Sequence, residues 1–278
     1  ESVYNMELIL VRVVTRRKNN ITFVEVMLST AVLAILAAIL IPFFNRANQK
    51  GLYANWKTYK SKLQLDPTLT CYYDFSDGKG NILTNTSRNT SSEKYDAIDL
   101  DGRILNAAGW KKGRWQLKWG VKFNGESSHI LSNGDFSGNS ASVICWFKSS
   151  DMDSSILSFT KKRDLDSPSK RNIYLKGGYV VSATSKGAIK STSKCDDGEW
   201  HMLTVTMGQK QGKHILYIDG KAESESSSFE VAGDEIKSII IGYCSNAPFY
   251  DGLIDEVIVF KRELSSEEIS EAYKAGKP

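Results

Sequence analysis

The stretch Leu253-Ile-Asp-Glu-Val-Ile-Val-Phe260 is a run of apolar and β-branched residues that directly follows Gly252. Similar short runs recur from Leu69 onward and are separated by turn residues such as Asp219-Gly220. β-Branched and aromatic side chains suit a pleated sheet, and an Asp-Gly pair favours a hairpin turn. The pattern therefore predicts a mainly β fold, an antiparallel β-sandwich. The other predicted strands are 69–75, 120–125, 142–147, 155–159, 178–182, 201–207, 214–218 and 239–243.

A short helix is predicted to close the chain. Ser265-Ser-Glu-Glu268 combines a capping serine with acidic residues in the first turn, and Gly276 follows the last turn. The formal net charge of +4 is small, so nucleic acid is not an expected partner.

The N-terminal part differs from the rest in composition. Ile21–Phe44 is apolar except for Glu25, and a helix of that length crosses a hydrocarbon layer of about 30 Å. Arg16-Arg-Lys18 precedes it, which predicts that its N-terminus lies in the cytoplasm. We treat 1–20 as a leader, 21–65 as a transmembrane and amphipathic helix, and 66–278 as the sandwich. The expected location is the bacterial cytoplasmic (inner) membrane, with the sandwich in the periplasm or on the cell surface.

Ile21-Thr-Phe-Val-Glu25, the Ala/Ile/Leu-rich stretch and Pro42 resemble the N-terminal signature of type IV pilins and type II secretion pseudopilins. The resemblance implies cleavage between Asn20 and Ile21 by a prepilin peptidase, although the family has Gly where this chain has Asn20. It also implies that Glu25 binds the terminal amine of a neighbouring pilin-like subunit. Pro42 is implied to belong to the part of the helix through which subunits assemble. In the alternative, Glu25 lies at the membrane interface and Pro42 only kinks the helix.

A second resemblance covers nearly all of residues 67–278. Its motifs include Tyr72–Gly78, Val121–Gly125, Asp197–His201, Leu216–Gly220 and Gly252–Val257. In this order they resemble a laminin-G-like domain of the concanavalin A-like lectin/glucanase superfamily. The resemblance implies a two-sheet jelly roll with its ligand-binding loops at one rim or on the concave sheet. Family members bind glycans or proteins, and some hold calcium.

Asp255 lies inside an apolar strand, where a carboxylate needs a hydrogen bond, a counter-ion or a metal. One hypothesis places a structural Ca²⁺ on Asp74, Asp77 and Asp255, since calcium prefers oxygen ligands. In the other, Asp255 accepts backbone N–H groups from a nearby turn. No cofactor is required by the sequence.

Trp110, Trp115 and Trp119 alternate with lysines and an arginine. They suit either an aromatic platform for sugars or a loop packed against the sandwich.

Four cysteines follow the apolar segment, namely Cys71, Cys145, Cys195 and Cys244. In an exported domain they permit two disulfides of unassigned pairing, and buried free thiols are the alternative.

No enzymatic activity is expected. Superfamily glucanases carry two glutamates around an aspartate on one strand, whereas Val257 and Ile258 follow Asp255-Glu256 here. Trp200-His201 is interpreted as a pair in the sandwich core.

The predicted function is a pilin-like, membrane-anchored protein whose laminin-G-like domain binds a glycan or a surface protein, displayed in a filament if it polymerises. Two alternatives share the same signals: a non-polymerising, single-pass lectin-like protein, and a minor pseudopilin of a type II secretion system.

Overall fold

The computed structural model describes residues 22–87, 100–106, 108–138, 140–162, 165, 169–208, 212–227 and 236–278. The predicted cleavage residues Asn20 and Ile21 lie outside these ranges. Helix α1 is Phe23–Leu63 and helix α2 is Ser266–Gly276. The first eight strands are β1 Leu69–Tyr73, β2 Ile82–Leu83, β3 Gly102–Leu105, β4 Gly109–Lys112, β5 Trp119–Asn124, β6 His129–Asn133, β7 Ser140–Lys148 and β8 Ser154–Thr160. The other eight are β9 Ser169–Lys176, β10 Tyr179–Thr184, β11 Gly187–Lys194, β12 His201–Gly208, β13 Lys213–Ile218, β14 Lys221–Ser226, β15 Ser238–Ile241 and β16 Asp251–Phe260.

These strands form two antiparallel sheets, which confirms the predicted sandwich. The first sheet has the order β14-β13-β12-β7-β16-β5-β4, with β1 also paired to β16. The second has the order β11-β10-β9-β8-β15-β6-β3-β2. Neighbours in the sheets are often far apart in sequence, as in a jelly roll; β7, for example, pairs with β12 and β16.

The main core lies between the two sheets. On β7, Val143, Cys145 and Phe147 belong to this core and are at most 1% exposed. Successive strand residues point to opposite faces, so Ile144 and Trp146 lie on the outside of the first sheet. They are nevertheless buried, because a second apolar cluster covers that outer face.

The second cluster joins the first sheet to both helices. It includes Leu63 at the end of α1, and Ile269 and Ala272 of α2, packed with Trp146 and Phe260. Helix α2 begins with the predicted capping box, in which Ser265 Oγ accepts from Glu268 N and Glu268 Oε2 accepts from Ser265 N at 2.8 Å. One face of the sandwich is therefore closed by helices.

The chain divides into two compact units, and the unit that contains the sandwich begins at Gln49. The last turns of α1 thus belong to the sandwich rather than to the apolar segment alone. N-terminal to Gln49, α1 is long and apolar enough to cross a membrane, and none of that apolar window is buried in the described structure. Pro42 lies inside this helix.

Candidate functional site

A cleft of about 370 Å³ opens at one end of the outer face of the first sheet. It lies where β5, β7 and β16 run side by side and where the loops after β7 and before β12 approach them. The lining residues are Lys122, Lys148, Ser149, Ser150, Asp151, Gly198, Asp251, Gly252 and Leu253.

Strand register brings the side chains of this cleft together. Leu253 of β16 is paired with Lys122 on one side and with Lys148 on the other. The next residues along these strands, Phe123 and Phe147, point into the core. Because side chains alternate along a strand, Lys122, Leu253 and Lys148 form one row on the outer face.

Hydrogen bonds made by Ser149 hold the loop that borders the cleft. Ser149 Oγ donates to the carbonyl of Asp251 at 2.7 Å and accepts from the amide of Asp151 at 3.0 Å. The amide of Gly198 donates to the Ser149 carbonyl at 2.9 Å. Gly198 has φ +76°, a conformation that favours glycine. The wall of the cleft is therefore ordered before any ligand arrives.

The charges in the cleft are only partly neutralised. Lys122 forms an ion pair with Asp251. Lys148 is half-buried, and within the described ranges neither it nor Asp151 has an ion-pair partner. The cleft thus offers one ammonium donor, one carboxylate acceptor and the hydroxyl of Ser150. These groups bind polar ligands by hydrogen bonds and charge.

A histidine fixes the loop that carries Gly198. His201 Nδ1 lies 2.9 Å from Asp219 Oδ2, and its Nε2 lies 3.1 Å from Asp197 Oδ1. Burial alone would lower the pKa of His201, but the two carboxylates raise it above its ordinary value. The sequence analysis missed these partners, although it quoted both Asp197–His201 and Asp219-Gly220.

The three tryptophans do not form the predicted platform. Trp115 is 1% exposed and packs beside Trp56, with ring centroids 5.9 Å apart. Trp110 packs against Phe75, and its Nε1 donates to the Gly80 carbonyl at 2.8 Å. Trp119 lies beneath the ammonium of Lys112, 3.7 Å from the ring centroid. The buried Trp115 cannot belong to a sugar platform, whereas Trp110 and Trp119 are half-buried and their predicted contact with sugars stays a prediction.

The three carboxylates predicted to hold calcium each have a different partner. Lys118 Nζ donates to the backbone carbonyls of both Asp74 and Asp255. The Asp74 carboxylate pairs with Lys60, and Asp77 accepts two hydrogen bonds from Thr84. Among the described residues no cluster of three His, Cys, Asp or Glu side chains is placed to hold a metal. The predicted calcium set is corrected, since Asp74 and Asp255 are paired with Lys60 and Arg114 and Asp77 is hydrogen-bonded to Thr84.

Asp255 and Glu256 share the guanidinium of Arg114. Arg114 Nε lies 2.8 Å from Asp255 Oδ1, and the Arg114 amide donates to Asp255 Oδ2 at 2.7 Å. Glu256 pairs with the same guanidinium and accepts from Trp56 Nε1 at 2.7 Å and Tyr72 Oη at 2.6 Å. Burial would raise the pKa of Glu256, but Arg114 and Lys118 hold it below its ordinary value. This buried network ties α1 to β16.

All four cysteines are buried free thiols, which corrects the disulfide prediction in favour of its alternative. Cys71 is paired with Val259 and Cys145 with Val257, on opposite sides of β16. Two strand spacings, about 10 Å, separate such residues. Disulfides need Cα atoms within about 7 Å. Cys244 instead lies 3.3 Å from Ser155 Oγ, which donates to its sulfur.

Glu25 forms local hydrogen bonds at the start of α1. Its Oε2 accepts from the amide of Thr22 at 2.8 Å and from the Thr22 hydroxyl at 3.0 Å. The Glu25 amide donates a hydrogen bond to the same hydroxyl at 3.2 Å. This arrangement is a capping box. The single charge in the apolar stretch therefore coincides with the first turn of the helix.

Comparison with known proteins gives consistent results for the sandwich. A laminin-G-type family model, described as the concanavalin A-like lectin/glucanases superfamily, matches residues 123–270. A curated relative, the non-toxic nonhemagglutinin type A of Clostridium botulinum (strain Kyoto / Type A2), is 22% identical over 86% of this chain. The chain spans only 20% of that relative's length.

Two solved structures share the fold. One is domain 4 of AbnA, a GH43 extracellular arabinanase from Geobacillus stearothermophilus, in complex with arabinotriose. It is 19% identical at TM-score 0.56 and covers 74% of this chain and 98% of its own. The other is the binding domain of botulinum neurotoxin DC in complex with rat synaptotagmin II. It is 14% identical at TM-score 0.55, and the match covers 76% of this chain and 52% of the binding-domain chain. With more than half of its residues matched by the family model, this chain belongs to the concanavalin A-like lectin/glucanases superfamily.

Proposed function

We propose that this protein is a membrane-tethered binding protein whose sandwich recognises a glycan in the cleft beside Leu253. The cleft is the observation that carries the proposal. It combines a preformed concave surface with a free ammonium, a free carboxylate and a hydroxyl. Sugar hydroxyls both donate and accept hydrogen bonds, so they suit this mixture. The arabinotriose complex of a domain with the same fold supports a saccharide as the ligand.

Binding without catalysis is part of the proposal. Glycoside hydrolysis requires two carboxylates that flank the scissile bond, one of them able to give up a proton. Asp255 and Glu256 are at most 2% exposed and share the Arg114 guanidinium. A pair held in this way is unsuited to meet a substrate or to exchange protons with it.

The tether is proposed to be the apolar part of α1. Apolar side chains such as Phe23, Leu33 and Ile39 are more than 60% exposed, which suits contact with lipid or with other helices. By its pilin-like signature this helix is cut at Asn20–Ile21 by a prepilin peptidase and packs with other pilin-like subunits. The sandwich then lies outside the bacterial cytoplasmic membrane, and display in a filament adds avidity.

The glycan test uses the full chain in detergent micelles on an array of neutral and acidic oligosaccharides. We expect binding by the wild type and loss of binding by Leu253→Trp, because the indole fills the cleft. Ile82→Trp, an exposed site on the edge of the second sheet, is the control. Equal binding by both variants would place the ligand elsewhere, and no binding by the wild type would favour a protein ligand.

The tether has its own test. Intact-mass analysis of membrane-extracted protein is expected to show a chain that begins at Ile21 and carries one added methyl group. A retained leader would contradict the pilin-like part and favour the non-polymerising anchor.

A further inference from the structure

The two lysines of the cleft are in different electrostatic states. Lys122 is already neutralised by Asp251. Lys148 lies in the same row, on the other side of Leu253, and the described residues place no carboxylate within ion-pair distance of its ammonium. An ammonium that lines a cleft and has no counter-ion is available for a charge-assisted hydrogen bond to an anionic group of a ligand.

The negative charge of Asp151 in the same cleft limits which kind of ligand can carry that anionic group. Asp151 is exposed in the loop after β7 and has no cation partner within the described ranges. A carboxylate accepts hydrogen bonds and repels other anions. A densely sulfated or phosphorylated polymer would meet this repulsion at each approach. A ligand with one carboxylate and several hydroxyl groups satisfies both residues.

We infer that the cleft selects glycans that carry a carboxylate, with the sugar carboxylate on Lys148 and neighbouring sugar hydroxyls on Asp151 and Ser150. This inference rests on the proposed glycan-binding function and narrows its ligand class. Lys122 and Asp251 neutralise each other and shape the wall, so the selectivity resides in Lys148 alone.

The test compares acidic sugars with matched neutral forms by titration calorimetry of the full chain in detergent micelles. The probes are tetragalacturonate and sialyllactose, each beside its carboxyl-reduced form, so that uronic and sialic acids are distinguished. We expect at least one acidic sugar to bind about tenfold more tightly than its reduced form, as one charge-assisted hydrogen bond provides.

Variants assign that preference to a residue. Lys148→Gln is expected to bind the acidic and reduced forms equally, and Lys148→Arg to keep the preference. Lys221→Gln, at an exposed lysine of β14, is the matched control and should behave as wild type.

The outcomes distinguish a failure of the carboxylate inference from a failure of the proposed glycan-binding function. Equal affinity of the wild type for acidic and reduced forms would overturn the carboxylate inference and leave glycan binding intact. A preference that survives in Lys148→Gln would also overturn it. If none of the four sugars binds, the carboxylate inference is wrong, and the array of neutral and acidic oligosaccharides decides separately whether the cleft binds a glycan.

Discussion

Removing the guanidinium of Arg114 should destabilise the sandwich more than any surface substitution. The Arg114 side chain is fully buried, lies between Asp255 and Glu256, and donates through NH1 to the Gly276 carbonyl at 2.8 Å. It also stacks 4.2 Å from the centroid of the Trp146 ring. In Arg114→Met, two buried carboxylates keep only Lys118 as a nearby cation.

The expected loss in the free energy of unfolding follows from the two buried carboxylates that remain without Arg114. Breaking a buried ion pair from one side costs about 3–5 kcal/mol, because the remaining charge is uncompensated. A domain of this size loses about 2–4 °C of melting temperature per kcal/mol, so Arg114→Met should lower Tm by roughly 10 °C. Adding Asp255→Asn and Glu256→Gln to Arg114→Met should recover part of the loss, since the two uncompensated carboxylates are then gone and Lys118 keeps its backbone carbonyl acceptors at Asp74 and Asp255.

Urea unfolding of the full chain in detergent micelles, followed by tryptophan fluorescence, measures this effect. Trp56, Trp115 and Trp146 all lie at or beside the network and report on it. Arg103→Met, an exposed arginine on β3, is the control and should change the unfolding free energy by less than about 0.5 kcal/mol. A loss below about 1 kcal/mol for Arg114→Met would refute the argument that this network ties α1 to β16.

Three further predictions concern other parts of the domain. The raised pKa of His201 means that the imidazolium stabilises the fold below pH 6.5, and that this contribution is lost as pH rises through the raised value. His201→Gln should remove that pH dependence and lower the free energy of unfolding by about 1 kcal/mol. A flat pH profile in the wild type would count against the ion pairs of His201 with Asp197 and Asp219. Burial raises the pKa of all four thiols, so a thiol reagent should label none of them in the native protein and four after denaturation; native labelling would show an exposed cysteine. Excess calcium should leave Tm unchanged, because the carboxylates of Asp74, Asp77 and Asp255 already have partners in Lys60, Thr84 and Arg114. A rise in Tm that Asp77→Asn abolishes would restore the metal hypothesis.

The sequence predicts well what depends on local pattern. The strand Leu253–Phe260, the capping box at Ser265 and the long apolar helix all carry their signals within a few residues. Strand β10 was predicted as 178–182, whereas β9 and β11 were missed, because Ser169–Lys176 and Gly187–Lys194 are largely polar and lack long apolar runs.

Contacts between distant segments were not predictable in the same way. The carboxylates of Asp255 and Glu256 find their counter-ion at Arg114, about 140 residues earlier, through the pairing of β16 with β5. The apolar strand around Asp255 predicts that this carboxylate has a partner, but no local pattern identifies Arg114 as that partner. The cleft likewise combines four segments, around Lys122, Lys148, Gly198 and Asp251, that meet only when the sheet forms.

Hydrogen–deuterium exchange of the full chain, with and without a sugar that binds on the array, tests the central claim most directly. The account predicts slower exchange on binding at residues 148–151, around Gly198 and at 251–253, and no change on strands β9 and β10 of the opposite sheet. Protection confined to β9 and β10 would contradict the placement of the binding site in the cleft.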